Sequence, residues 1–410
     1  MYEGVRCVAD DFPYGPHFRE TMDVLVPCAS SRALRGPLAV LYDLLCLACC
    51  YPVAAWHYLR RRVVRRELRE IAGARGFPAL CFVHGGGWVA IDASLQHHQS
   101  TALARALGAA IYTINYPHAP ESAFPHSTLS TLRALRFLRE EQGHAQVTLV
   151  GESAGGNLVT VVAGLLSDRA LLEDFCRRCR DDYGFTAPED DPRRWSFPDV
   201  VACVSWYGIC DVEAWVGAGW LWRGLNWVFD CHKGDSELPP VLRHGPDFGW
   251  ALSRSAQDLA RRRARHEDPF MTVACMARRF ALREYPPLLL TAGATDPLGL
   301  LHSSEEAYQA LRAHFPARPA EGRLLRAYHD ATHAFIGLNP FILYAAQGAH
   351  WREYAQVATD ETIEFLRMHV PAFAQRGGAT CVASGDATCV ASGDASDGRR
   401  ERQTLWVTGI

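Results

Sequence analysis

The run Gln146-Val147-Thr148-Leu149-Val150-Gly151-Glu152-Ser153-Ala154-Gly155-Gly156-Asn157 decides how the rest of the chain is read. Residues 146–150 are apolar and β-branched enough for a buried strand, and 156–166 carry on as a helix. Between them stands Gly-x-Ser-x-Gly. A serine on a tight strand-to-helix turn exposes its Oγ, and Gly151 and Gly155 let a strained backbone pass close to its neighbours. The helix N-terminus behind Ser153 favours a developing negative charge. The pentapeptide alone is a weak signal, and its place between strand and helix strengthens it.

Upstream, His84-Gly85-Gly86-Gly87-Trp88 closes the apolar run 77–83. Consecutive glycines after a strand can aim bare N–H groups into a cleft, where an acyl-transfer reaction needs donors for its oxyanion. Gly85 and Gly86, with the N–H of Ala154, are the candidate donors. A plain flexible loop would explain the glycines but not their place upstream of such a serine.

A serine nucleophile requires a base and an acid, which in a strand–turn–helix architecture follow it in the order Ser, Asp, His. Asp296 comes after the run 287–291, and His333 comes after the run 323–328. Both fall on loops at strand ends, where open α/β sheets place ligands. His329 and Asp330 compete for the two roles. Asp330 lies within three residues of His333, whereas such sites draw their partners from separate loops, so His333 with Asp296 is the preferred pair.

Further strand-like runs at 109–115 and 200–206, with helix-like stretches at 96–106, 127–141, 303–314 and 351–369, complete an alternation. That pattern predicts an α/β fold with a mostly parallel central sheet covered by helices on both faces. Only 22–27 reads as a strand in the loop-rich N-terminal part. Residues 211–283 interrupt the alternation and hold Trp215, Trp220, Trp222, Trp227 and Trp250. They read as a helical lid insertion over an apolar pocket, or as ordinary helical packing.

Together with Tyr116-Pro117-His118-Ala119-Pro120-Glu121-Ser122-Ala123-Phe124-Pro125, the HGGGW and GESAGGN segments resemble the hormone-sensitive-lipase branch of the α/β-hydrolases, which includes arylacetamide deacetylase and bacterial carboxylesterases. The resemblance covers about 77–373. It implies a serine hydrolase cleaving carboxylic esters through Ser153, Asp296 and His333, with Gly85, Gly86 and Ala154 at the oxyanion. His84 would help hold the glycine loop, and Gly87, Gly151, Glu152 and Gly155 would support the site. No cofactor or metal is implied, and the expected partner is a small-molecule ester. The chain departs from the pattern at His118, where leucine is usual, at Glu152, where aspartate is common, and at Ala334, where glycine is usual. The family also places two strands shortly before HGGG. An amidase or deacetylase would use the same residues. A non-catalytic receptor, as in the related plant gibberellin receptors, would lack the histidine.

Composition bounds the rest. The 410 residues carry a formal charge of −3 and are 49% hydrophobic, which indicates a globular chain. No cationic excess exists to displace counterions from nucleic acid. Fourteen scattered cysteines suit buried free thiols and mildly favour a reducing compartment, and the Cys176/Cys179 pair has no second half at zinc-ligand spacing. Residues 37–59 are apolar apart from Asp43, with arginines on the C-terminal side. The stretch reads as a membrane span, as a helix lying on a membrane or as a buried cap helix, and the three stay open. The location is accordingly cytoplasmic or at the endoplasmic reticulum membrane. The tail repeats ATCVASGD in tandem from Ala379 and is expected to be disordered. The expected division is 1–72 as an N-terminal region, 73–375 as the hydrolase domain, and 376–410 as the tail.

Overall fold

The computed structural model describes residues 4–28, 73–88, 91–118, 122, 124–185, 191–212, 214, 268–296, 298–315, 323–328, 331–336 and 351–374. Among them runs an eight-stranded sheet: β1 Val5–Pro13, β2 Thr21–Pro27, β3 Ala79–Val83, β4 Ala110–Ile114, β5 Gln146–Glu152, β6 Asp199–Trp206, β7 Leu288–Gly293 and β8 Arg323–Tyr328. The order is β1-β2-β4-β3-β5-β6-β7-β8. From β4 to β8 every pairing is parallel, while β1 with β2 and β2 with β4 are antiparallel. The helices with which the site is concerned are α1 His97–Leu107, α2 His126–Glu140, α3 Ala154–Ser167, α4 Arg169–Asp181, α5 Val273–Arg279, α6 Leu300–His314 and α7 Trp351–His369.

The central strands are apolar throughout because helices cover both faces. Alternate side chains sort to opposite cores, as the two-residue strand period demands. Cys81, Leu149, Cys203 and Leu290 pack with Leu129 of α2, Leu158 of α3, Val273 of α5 and Leu311 of α6. Leu80, Phe82, Val150, Val204 and Leu289 face the other way, against Leu103 of α1 and Phe365 and Leu366 of α7. Cys81, Cys176, Cys179, Cys203 and Cys210 are free thiols and buried, as expected of them.

One sequence expectation changes. The N-terminal part is not loop-rich with a single strand, because β1 precedes β2 and pairs with it. Asp10, Asp11 and Pro13 disguise β1, and its register shifts between Cys7 and Ala9 and again between Ala9 and Phe12. The bulge leaves Asp11 at φ 55, with its N–H donated to the buried carboxylate of Asp23 at 2.7 Å. The central sheet therefore begins inside the region set apart as 1–72. In 211–283 the described residues follow the reading of ordinary helical packing. The described C-terminal part of that range contributes Phe270, Val273 and Met276 to the main core beside α3 and α6. The five tryptophans of that stretch, the apolar segment 37–59 and the tail 376–410 lie outside the described residues. No helix among the described residues is long and apolar enough to cross a membrane.

Candidate active site

The turn after β5 carries Ser153 at φ 49 and ψ −117, with its N–H donated to Trp206 O at 2.9 Å. That conformation costs a side-chain-bearing residue on the order of 1–3 kcal/mol and survives because its surroundings over-determine it. The flanking glycines are required by contact. A Cβ on Gly151 would collide with the Gly155 backbone, and one on Gly155 would collide with the carbonyls of Val83 and His84. The elbow thus presses directly on the end of β3, where the glycine loop starts.

Ser153 Oγ lies 3.1 Å from His333 Nε2, and His333 Nδ1–H donates to Asp296 Oδ2 at 2.9 Å. The acid is itself oriented, since Leu298 N–H donates to its other oxygen at 2.8 Å. The two loops that deliver acid and base are laced together by backbone bonds. Ala294 N–H donates to Tyr328 O at 2.9 Å and Thr295 N–H to Ala331 O at 3.1 Å. Burial of the His333 ring pulls its pKa down, but the Asp296 carboxylate, its hydrogen bond and the charge of Glu152 outweigh that, and the net shift is upward. The competitors His329 and Asp330 lie outside the described residues.

Above this chain the loop after β3 turns at Gly86, φ 101, and Gly87, φ 61. His84 stacks on Tyr116 at 4.4 Å between ring centroids, and its Nδ1–H donates to Gly85 O at 2.8 Å. Tyr116 O–H donates to the carbonyls of His84 and Gly85 at 3.0 and 3.1 Å. Gly85 differs from expectation as an oxyanion donor. Its N–H is directed to Glu152 Oε1 at 3.2 Å, so it is engaged inward rather than offered to the cleft. His118, in place of the usual leucine, stands edge-on to both His84 and Tyr116.

The cleft has a volume of about 210 Å³, with Ser153, His333, Glu152 and Tyr207 in a wall whose apolar part is Trp88, Ile91, Ile209 and Leu298. Five residues lining it carry a side chain at positive φ: Trp88, Ile91, Ser153, Tyr207 and Ala334. Asp11 is the remaining such residue among those described. Strained backbone is thus concentrated around this cavity, as it is at working sites generally. The φ of 59 at Ala334 also explains why glycine suits that position better. A larger recess of about 540 Å³ near Phe12, Tyr14 and Arg136 brings no nucleophile next to a base. Among the described residues no group of three or more His, Cys, Asp or Glu side chains can hold a metal ion.

Sequence reasoning missed Tyr207, Gln96 and Asn157. Tyr207 O–H donates to Glu152 Oε2 at 2.8 Å and its ring stands edge-on to His333. Its place at the C-terminal end of β6 was the available signal. Asn157 Nδ2 donates to Ile209 O and to Met271 O, at 3.0 and 2.8 Å, tying both approaches to the residue range 215–267 onto α3.

A family model described as alpha/beta hydrolase fold matches residues 80–214. An acetyl-hydrolase of Streptomyces hygroscopicus is 37% identical over 91 residues, 22% of this chain and 30% of its own. An acetyl esterase of Salmonella typhi is 22% identical over 265 residues, 63% of this chain and 65% of its own. The chain therefore spans less than two thirds of the length of either relative. Among solved structures, esterase B of Lactobacillus rhamnosis aligns over 91% of this chain and 88% of its own, at 16% identity and a TM-score of 0.52, a likeness of fold. Sheet order, the strained serine turn after β5 and the matched segment around it give this chain the α/β-hydrolase fold.

Proposed function

We propose that the protein is a serine hydrolase of small carboxylic esters with apolar acyl or aryl groups. The observation that carries this reading is the unbroken chain from Ser153 Oγ through His333 to Asp296, on a strained turn in an apolar cleft. Ser153 Oγ attacks the ester carbonyl while His333 Nε2 takes its proton. Asp296 keeps Nδ1 protonated and steadies the imidazolium. The tetrahedral oxyanion is met by the N–H groups of Gly86 and Ala154, with Gly87 beside them, because that of Gly85 is directed to Glu152. His333 returns the proton to the departing alcohol, and water activated by the same ring releases the acid from Ser153.

Relatives named acetyl-hydrolase, acetyl esterase and carboxylesterase agree with this chemistry. The cleft volume suits a short acyl group. A receptor on the same fold has no use for a base hydrogen-bonded to both serine and carboxylate, which weighs against that reading.

The test is intact-mass detection of a fluorophosphonate adduct on the wild type, Ser153→Ala and His333→Ala, alongside hydrolysis of p-nitrophenyl acetate and butyrate. The expected result is labelling and turnover by the wild type alone. Turnover retained by a folded Ser153→Ala protein overturns the mechanism.

A further inference from the structure

Glu152 is the residue immediately before Ser153, and it is 2% exposed. Three donors converge on its carboxylate among the described residues. Oε1 accepts from Gly85 N–H at 3.2 Å and from Gln96 Nε2–H at 2.6 Å, and Oε2 accepts from Tyr207 O–H at 2.8 Å. These donors come from the glycine loop, the turn that leads into α1, and the loop after β6. One carboxylate therefore fastens three separately folded segments to the residue that presents the serine. All three partners donate and none needs to accept, a pattern suited to an ionised carboxylate.

The charge matters as well as the shape. Tyr207, held by Glu152, stands edge-on to the His333 ring at 5.3 Å between centroids and packs on Phe335 at 5.5 Å. The ring of His333 thus faces Asp296 from the β7 loop, Glu152 from the end of β5, Tyr207 from the β6 loop and the Ser153 hydroxyl. Glu152 itself faces Tyr207, Gln96, His333 and the phenol of Tyr116. Burial, the largest influence, raises the Glu152 pKa; the bonds from Tyr207 and Gly85, the nearby His333 and the bond from Gln96 pull it back, and the net shift stays upward.

We infer that Glu152 is a positioning residue with two separable effects: its shape fixes the Gly85 peptide so that the following glycines meet the oxyanion, and its negative charge steadies the imidazolium that His333 becomes on taking the Ser153 proton. This rests on the hydrolase reading above. It assigns Tyr207 and Gln96 as the side chains that keep the carboxylate in place.

Glu152→Gln separates the two effects. The amide oxygen still accepts from Gly85 and Gln96, and the amide N–H₂ donates to the Tyr207 hydroxyl, whose proton turns away. Shape is kept and charge is lost. Glu152→Ala removes both. For Glu152→Gln the expected plateau kcat falls by less than about tenfold, while the acid limb of kcat/KM moves to lower pH by about one unit. For Glu152→Ala kcat falls by about a hundredfold or more at every pH, the scale of one lost oxyanion donor. Tyr207→Phe is expected to fall between the two in kcat with KM little changed. An acid limb unmoved in Glu152→Gln overturns the charge effect, and a kcat of Glu152→Ala no lower than that of Glu152→Gln overturns the shape effect. If Glu152→Ala fails to fold by circular dichroism, Tyr207→Phe decides the shape effect by the same comparison, a kcat no lower than that of Glu152→Gln overturning it. A wild type with neither turnover nor fluorophosphonate adduct overturns the hydrolase reading instead. The charge effect is then read directly from the His333 ring titration by NMR of histidine-labelled protein, assigned with His333→Asn. A lower midpoint in Glu152→Gln supports it and an unchanged one overturns it.

Discussion

His84 and His333 end neighbouring stories of the same sheet, one closing β3 and the other following β8, and their surroundings push them in opposite directions. His84 is 0% exposed, has no carboxylate bonded to it among the described residues, and desolvation pushes its pKa down to about 4. Its neutral ring works as a strut, stacked on Tyr116 and bonded to Gly85 O. The His333 ring is also inside the wall of the cleft, but Asp296 and Glu152 outweigh the burial that lowers its pKa and leave it above the usual value. Burial alone makes an imidazole neutral and inert, and a carboxylate in contact turns it into a group that exchanges protons.

The comparison is tested most strongly at His333. His333→Asn should leave the fold intact and lower kcat/KM for p-nitrophenyl acetate by about ten-thousandfold, the scale of losing the base. A small loss would place the proton acceptor elsewhere. Asp296→Asn keeps a hydrogen-bonding side chain beside the ring but permits the wrong tautomer, and about a thousandfold or more should be lost in kcat. In the wild type, activity should climb with rising pH through a midpoint above the ordinary histidine value, because the raised pKa keeps the ring protonated and unable to act as base below it.

His84 should reveal itself in stability instead. Its folded pKa of about 4 lies below the unfolded value of about 6.5, so its contribution is complete above the unfolded pKa and is lost as pH falls from there towards 4. Urea unfolding of wild type against His84→Asn should show the variant's pH dependence flatter by roughly 3 kcal/mol over that window. Equal slopes would remove the distinction between strut and base. His333 has the opposite sign, its contribution being present below the unfolded pKa and lost as pH rises through the raised folded value. The smallest effect is expected for Tyr116→Phe, which takes its hydroxyl from the carbonyls of His84 and Gly85 and should lower unfolding stability by about 1 kcal/mol.

Much of this was legible in the chain. Strands β3 to β8 fall where apolar runs of strand length end in turn residues, and α1, α2, α3, α6 and α7 fall where the apolar spacing is helical. The exceptions have local causes. Strand β1 was hidden by paired aspartates and two register shifts that break its alternation. Helix α4 buries Leu171, Leu172, Phe175, Cys176 and Cys179 on one face, a helical pattern overshadowed by the question of whether its two cysteines bind metal. The start of α5 falls in a stretch read as lid, because its apolar residues give no sign of which surface they cover. At the site, Ser153, Asp296 and His333 were legible as residue types at the ends of strands. The engagement of Gly85 N–H with Glu152 was not, since the direction of a peptide N–H is fixed by torsions that a run of glycines leaves free.

The sequence by itself determined the order of strands and helices and the need for glycine beside Ser153, because apolar period and the room around a backbone are local properties. It also determined the chemical kinds available at each strand end. Only the tertiary structure decided which of them meet. Ser153 and His333 are 180 positions apart and touch because parallel strands deliver their C-terminal ends to one edge of the sheet. Tertiary structure likewise decided that Glu152 carries three donors and that His84 and His333 differ in charge preference. Both depend on which groups the fold sets within hydrogen-bonding distance, and no pattern along the chain encodes that.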